Sequence, residues 1–247
     1  MSIETYGTGD RLRVAARMSV PFGIERRIVL LPVPSTRDGK NVASTEIPLS
    51  EVFSDADERT YILGYGIPQC FSAAASASGA VVHDLSLDED YLLENAELTA
   101  IGCLGYILTT TKSVPGDVSF GIVGYGRIGR AVSKLLLFLG ARVSIFTTRD
   151  SVRRELGGIG IGARLMESPL DLSDIDILIN TAPRDMSGEF SHGLPLGMRV
   201  IELASGENFK GIPGVERLPG LPEKYYSESA GRTYAAAVKR VIMEDLG

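Results

Sequence analysis

Sulfur and imidazole chemistry is scarce in this chain. Only Cys70 and Cys103 occur among its 247 residues. They stand far apart among apolar neighbours, a pattern that suits reduced, buried thiols and argues against a disulfide framework. The two histidines, His83 and His192, do not cluster with them, so no zinc, haem or other metal site is expected. Long apolar runs are missing too. No segment approaches the roughly 18 residues needed to cross a bilayer, and the N-terminal stretch has no signal-peptide core. A cytoplasmic protein without a membrane partner is expected. Nor is there a basic surplus: 25 lysines and arginines face 31 acids, for a net charge of −6. The cluster Arg11, Arg13, Arg17 is short and local, so nucleic acid is excluded as a partner. No internal repeat or low-complexity tract appears. What remains is an ordinary globular composition, 44% hydrophobic and 23% charged, long enough for one large domain or two small ones.

The most informative stretch is 118–150. A short apolar run, 118–123, meets Gly124-Tyr125-Gly126-Arg127-Ile128-Gly129, after which Ala131, Leu135, Leu136 and Leu139 recur at helical spacing until Gly140. A β-rich run follows at 142–148. Strand, glycine turn, helix and strand in this order form the βαβ module that holds a dinucleotide. Gly124 permits the tight turn, Gly126 lets backbone approach a pyrophosphate, and Gly129 lets helix and strand pack closely. The helix N-terminus then offers N–H groups and partial positive charge to the phosphates. An NAD-selective module carries an acid about 20 residues past the turn, where it meets the ribose hydroxyls. Here that place holds Thr147, Thr148 and Arg149, with Asp150 beyond and turned into the loop. NADP is therefore expected, with NAD as the alternative.

The remainder reads as alternating strands and helices. Residues 1–25 have no clear strand pattern and are broken by Gly7, Gly9, Pro21 and Gly23. A buried strand at 27–31 ends at Pro32 and Pro34, and Ser35, Thr36 and Arg37 follow in a loop. That loop is either a solvated turn or a ligand loop at a strand's carboxyl end. A short helix after Pro48, a strand at 61–65, a helix at 71–78 and a strand at 81–85 come next, with His83 a hydrogen-bonded structural residue. The acidic segments 54–58 and 87–94 read as solvated faces. Asn95 is a candidate N-cap for a helix running to Lys112. Beyond the central module, 155–162 reads as a glycine-rich turn and 163–166 as a weak strand. A strand at 175–179 ends in Asn180-Thr181-Ala182-Pro183, small and polar residues suited to a cofactor crevice. A strand at 199–203 ends in Ala204-Ser205-Gly206, a short one spans 215–218, and an amphipathic helix closes the chain at 226–246. The fold class is α/β: a Rossmann-type doubly wound parallel sheet with a smaller, truncated α/β substrate domain. The expected division is 1–94 and 95–247, with helix 226–246 free to pack back on the first part.

Several stretches together resemble the family of dipicolinate synthase A subunits, within the wider superfamily of D-isomer-specific 2-hydroxyacid dehydrogenases. They are Leu31-Pro32-Val33-Pro34-Ser35-Thr36, Leu98-Thr99-Ala100-Ile101-Gly102, the Gly124 turn, Ile179-Asn180-Thr181-Ala182-Pro183, Leu203-Ala204-Ser205, and Gly220-Leu221-Pro222 with Ser229-Ala230-Gly231. The resemblance implies a substrate domain joined to an NAD(P)-binding domain with a cleft between them. It also implies oxidation of a cyclic dicarboxylate, 4-hydroxytetrahydrodipicolinate, towards dipicolinate. Two departures stand out. The family opens with a complete βαβ unit that this sequence lacks before Arg27, and the family's Thr-Ala-Glu-Gly reads Thr99-Ala100-Ile101-Gly102 here. The wider dehydrogenases use an arginine, a glutamate and a histidine; Ser205 stands where the arginine would be and no histidine follows Leu218, which disfavours their ordinary mechanism.

The sequence thus reads as an NAD(P)-dependent oxidoreductase acting on a small carboxylate. Ser35, Thr36, Arg37 and Thr99 are expected at the substrate. Gly124, Tyr125, Gly126, Arg127, Ile128, Thr147, Thr148, Arg149, Asn180, Thr181, Ala182, Pro183 and Ser205 are expected at the cofactor. A homo-oligomer is expected, a second subunit being the other arrangement. The alternatives are a dinucleotide-binding subunit or sensor without catalysis, and a 2-hydroxyacid dehydrogenase-like reductase.

Overall fold

The computed structural model describes residues 2–18, 26–167 and 169–246. In chain order the elements are β1 (Ser2–Thr5), α1 (Asp10–Met18), β2 (Arg27–Leu30), α2 (Leu49–Ser54), β3 (Thr60–Gly64), α3 (Gln69–Ala77), β4 (Val81–Asp84), α4 (Glu89–Thr110), β5 (Ser119–Val123), α5 (Arg127–Phe138), β6 (Arg142–Thr147), α6 (Asp150–Gly158), β7 (Gly162–Leu165), β8 (Ile177–Asn180), β9 (Arg199–Glu202), β10 (Val215–Arg217) and α7 (Leu221–Leu246). They divide into two compact units, one of Met1–Asn95 with Pro222–Gly247, the other of Ala96–Leu221.

The first unit holds a four-stranded parallel sheet in the order β1-β2-β3-β4. Side chains alternate across a strand, and both faces here are covered, which is why β2 and β3 read as nearly continuous apolar runs. Ile28, Leu30, Tyr61 and Leu63 pack with Leu12 and Ala15 of α1 and with Tyr234, Ala237, Val238 and Ile242 of α7. Val29, Leu31 and Ile62 face the other way, onto Leu49, Val52 and Phe53 of α2 and Ala75 of α3. Tyr234 is buried among the apolar groups, and its hydroxyl satisfies the carbonyls of Leu31 (2.9 Å) and Leu63 (2.8 Å). α7 is interrupted at Tyr226 (φ −136°, ψ 45°), so the helix expected from 226 onward is its second segment.

Two expectations for this unit are corrected. The opening βαβ unit is present rather than truncated away: β1 pairs in parallel with β2, from Ser2 opposite Arg27 to Thr5 opposite Leu30. It escaped the sequence because β1 is a four-residue strand at the edge of the sheet with one aliphatic residue, Ile3. The arginines of α1 also mask the apolar stripe of Leu12, Val14 and Ala15. Pro21 and Gly23, read as breakers, lie outside the described residues. Cys70, expected to be buried, is exposed at the start of α3, whose inward face is carried by Ala75. Cys103 is buried as expected, and burial pushes its thiol up to about 12.

The second unit holds a six-stranded sheet in the order β10-β9-β8-β5-β6-β7, with every pairing parallel. Counted from β5, the order is third, second, first, fourth, fifth, sixth, the doubly wound arrangement whose ligand crevice opens between the first and fourth strands at their carboxyl ends. One face is covered by helices: Phe120, Ile122, Val143, Ile145, Ile177 and Ile179 pack with Ala100, Cys103 and Ile107 of α4 and Val132 and Leu136 of α5. On the other face Val123, Phe146, Leu178 and Val200 meet Met186, Phe190 and Phe209, which come from irregular connections rather than helices.

Two boundaries also differ from expectation. α4 begins at Glu89, well before Asn95. Asp88 stands ahead of it and its Oδ1 accepts the Tyr91 N–H at 2.9 Å, so Asp88 rather than Asn95 caps the helix, while Glu89, Asp90 and Glu94 are exposed as expected of a solvated face. The supposed glycine turn at 155–162 opens inside α6, where Val152 and Leu156 are buried and Gly157 and Gly158 form the last turn.

Candidate functional site

The glycine turn lies where β5 and β8 diverge in the second unit. Gly124 has φ +90°, a backbone state that side chains resist, and a Cβ there would come within 3.0 Å of the Ala182 Cβ. Gly129, in the first turn of α5, lies so close to the strand that its Cβ would sit 2.3 Å from the Gly124 carbonyl oxygen. Both positions are filled by the protein itself. Gly126 differs. It caps α5 with extended backbone (φ −87°, ψ −162°), contributes no side-chain cap, and a Cβ there would meet nothing within 4 Å. The first turn of α5 therefore opens onto empty space on the side where Gly126 lacks a side chain. Tyr125 and Ile128 are half-buried beside it, Arg127 is exposed, and the Arg130 guanidinium lies 5.1 Å from the Tyr125 ring centroid.

The end of β6 runs alongside. The Gly124 N–H donates to the Phe146 carbonyl at 2.8 Å, joining the two strand ends. Thr147 is buried, and its hydroxyl oxygen accepts the Arg149 N–H. Thr148 and Arg149 are exposed, and an Arg149 Nη2–H donates to the Tyr125 carbonyl at 3.2 Å, which lays this guanidinium against the glycine turn. Asp150 opens α6 and its carboxylate is paired with Arg153 (2.7 Å) and Arg154 (3.0 Å). Asp150 is thus engaged along its own helix, and the cations around it outnumber it.

On the other flank, Thr181 donates its hydroxyl to the Val123 carbonyl at 2.9 Å, and Ala182 faces Gly124 across the gap. Asn180 lies behind them, wholly buried. Its amide donates to the Ala182 carbonyl and to both oxygens of Glu202, and its own carbonyl oxygen accepts the Ala182 N–H. Asn180 therefore shapes the 180–183 turn, and Pro183 is exposed at its tip. Glu202 was missed in the sequence. It is 4% exposed at the end of β9 and also accepts the Ala204 N–H at 2.8 Å; burial outweighs these donors and raises its carboxyl. An acid directly after the aliphatic pair Val200-Ile201 was the available signal. Ser205 is exposed just beyond, its carbonyl accepting from Asn208. The turns after β5, β6, β8 and β9 thus bring every predicted cofactor residue to one edge of the sheet.

The predicted substrate residues fall in both units. Ser35 is fully buried after β2; its hydroxyl oxygen accepts the Tyr65 N–H at 2.7 Å, so it ties the ends of β2 and β3 together. The Thr36 hydroxyl donates to Asp38 and accepts the Gly39 N–H. Asp38 organises this loop, accepting the N–H groups of Lys40 and Asn41 at 2.8 Å, and these bonds hold its carboxyl far below the usual range. Arg37 is exposed, and among the described residues its side chain makes no hydrogen bond or ion pair. Thr99 lies in α4 of the second unit and is nearly buried. His83 is held by Asp88 at 3.0 Å in the first unit, the structural role expected of it.

No family model and no curated protein matches the chain. Among solved structures it is similar to the dipicolinate synthase A subunit from Bacillus halodurans, with 19% identity, 97% of each chain covered and a TM-score of 0.79. It is also similar to the corresponding dipicolinate synthase polypeptide from Bacillus subtilis, with 18% identity over 98% of this chain and 95% of that one and a TM-score of 0.77. A more distant likeness is to the apo form of D-lactate dehydrogenase from Escherichia coli, with 13% identity, 100% and 98% coverage and a TM-score of 0.56. No helix among the described residues is long and apolar enough to cross a membrane. The resemblance read from the sequence holds at the level of fold: the chain has the α/β dehydrogenase fold of the dipicolinate synthase A subunits.

Proposed function

We propose that this chain is an NADP(H)-dependent oxidoreductase of a small, cyclic dicarboxylate, working in the cytoplasm as a homo-oligomer or beside a second subunit. The observation that carries the reading is the contrast among the three glycines. Gly124 and Gly129 are small because the protein occupies the space around them, whereas among the described residues nothing lies within 4 Å of a Cβ at Gly126. A pyrophosphate lying over Gly126 explains it, received by the N–H groups and partial positive charge of the first turn of α5. The nicotinamide ring, when bound, supplies the hydride acceptor.

The chain's own residues position and select. Thr181 and Asn180 hold the 180–183 turn against Gly124, which keeps the crevice open at the divergence of β5 and β8. Thr148 and Arg149 meet the adenosine 2′-phosphate, because a planar guanidinium already lying on the turn pairs well with phosphate oxygens. In the first unit Arg37 takes a substrate carboxylate, presented by a loop that Ser35 and Asp38 hold rigid. The dicarboxylate itself is suggested by the likeness to the dipicolinate synthase structures.

A screen for reduction of NADP and NAD with cyclic and open-chain dicarboxylates, run beside equilibrium binding of both coenzymes, tests the reading. Turnover with a dicarboxylate and tighter binding of NADP are expected. Tight coenzyme binding with no turnover would instead favour a non-catalytic dinucleotide sensor, and no coenzyme binding would sink both.

A further inference from the structure

Among its described residues the first unit contains one buried cation without a paired carboxylate. Arg11 is the second residue of α1, directly after loop 6–9 that leaves the carboxyl end of β1, and only 4% of it is exposed. Its Nη1 donates to the Tyr91 hydroxyl at 3.0 Å. Its Nε is the only buried side-chain nitrogen or oxygen among the described residues that has no hydrogen-bond partner. Asp10 is paired with Arg13 and Glu228 with Arg17; Glu223, in the first turn of α7, lies against Gly9 and acts electrostatically on Tyr91. Among the described residues no carboxylate pairs with Arg11. A guanidinium stripped of water and given one phenol in return is poorly compensated, and such a group calls for an explanation.

Its surroundings supply one. In a parallel sheet ligands gather at the carboxyl ends of the strands, and at this edge the turn after β1 brings Arg11, the turn after β2 brings Arg37, the end of β3 leads into Tyr65 and the start of α4 after β4 brings Tyr91. The rings of Tyr65 and Tyr91 lie 6.4 Å apart, and those of Tyr91 and Tyr234 lie 6.2 Å apart. Tyr91 and Tyr234 are fully buried, Tyr234 locked by its bonds to two strand carbonyls, so they back Tyr65 rigidly, and half-buried Tyr65 is the ring of the three that reaches the surface. A flat ring suits the outer side of Tyr65, and a carboxylate on that ring suits the free edge of a guanidinium fork.

We propose that Arg11 binds a ring-borne carboxylate of the substrate, so that a dicarboxylate is held by two arginines, Arg11 in its buried setting and Arg37 on the exposed loop. This rests on the carboxylate-oxidoreductase reading above. It assigns specificity to Arg11: a ring with one carboxylate uses one cation and binds more weakly.

Pyridine-2,6-dicarboxylate and pyridine-2-carboxylate are the probes, titrated by calorimetry into the full chain with and without NADPH. The parent is expected to prefer the dicarboxylate. Arg11→Met should weaken it by about 10- to 150-fold, the worth of one charge-assisted hydrogen bond, and abolish the preference over the monocarboxylate. Arg11→Lys keeps the charge without the fork and should recover part of the affinity; it serves also if the methionine variant does not fold. Without ligand, Arg11→Met should be as stable as the parent or more so, because an uncompensated buried charge has been removed. Equal affinity in parent and variants, or a parent that binds neither probe, would overturn the assignment. So would a loss of ligand-free stability in Arg11→Met matched by Glu223→Gln, which would make Glu223 the missing partner. NADPH titrated in parallel keeps the two ideas separate: a parent that binds the dicarboxylate through Arg11 but no coenzyme would refute the oxidoreductase reading alone.

Discussion

Replacing Gly126 by valine separates a glycine required by a ligand from one required by the fold. The backbone at Gly126 is extended and a Cβ there meets nothing within 4 Å, so the ligand-free protein should accept valine with little rearrangement. Loss of a tolerable helix cap costs about 0.5–1 kcal/mol. At about 2–4 °C per kcal/mol for a chain of this size, the melting temperature without coenzyme should fall by no more than about 4 °C. The coenzyme response should change far more. NADPH at about 100 times its Kd stabilises the parent by about 2.7 kcal/mol, or about 5–11 °C, and valine at position 126 should remove that shift because its methyl groups occupy the pyrophosphate's place. Gly129→Ala is the opposite control. Its Cβ would lie 2.3 Å from a backbone oxygen, so helix and strand must separate and the ligand-free protein should lose about 1–3 kcal/mol. Differential scanning calorimetry with and without NADPH reads all three proteins. A full coenzyme shift in Gly126→Val would refute the pyrophosphate assignment, and a collapse of that variant without ligand would refute the open-space argument itself.

Arg149→Ala should weaken NADPH by about 10- to 150-fold and leave NADH nearly unchanged, with the difference shrinking as salt is raised; equal Kd values for the two coenzymes in the parent at low salt would remove the basis for NADP selectivity. Asp88 gives a pH-dependent prediction. Burial opposes its charge, but the Tyr91 N–H, His83 and Arg240 outweigh burial and leave the carboxyl below its ordinary value. Its stabilising contribution is therefore complete above about pH 4, the unfolded-state value, and is lost as pH falls through the lower folded-state value. In urea unfolding at pH 7, Asp88→Asn should lose the ion pairs but keep the helix cap, while Asp88→Ala should lose about 0.5–2 kcal/mol more. An Asn variant whose stability fell with acid as steeply as the parent's would contradict the assignment.

The central module was legible in the linear order because its requirements are local. A glycine at each of three spacings, an apolar strand before and an amphipathic helix after are properties of neighbouring residues, and the structure returns them as β5, α5 and β6. The same holds for the buried strands β2, β3, β8 and β9, whose apolar runs declare that both faces are covered. Weaker local signals failed where neighbours in space supplied the stability. β1 has a single aliphatic residue and is held by its ladder to β2, α1 hides its apolar stripe among arginines, and α6 reads as a glycine turn until Val152 and Leu156 find the core. The division of labour among polar residues was wholly a tertiary matter. Sequence alone ranked Ser35, Asn180 and Arg37 alike as site residues, yet burial commits Ser35 and Asn180 to holding turns and leaves only Arg37 facing out. The orphaned Nε of Arg11 could not be read from composition or spacing, and Glu202 showed in the sequence only as an acid beside aliphatic residues, because a charge becomes informative only when the fold removes its water and shows which partners it was given.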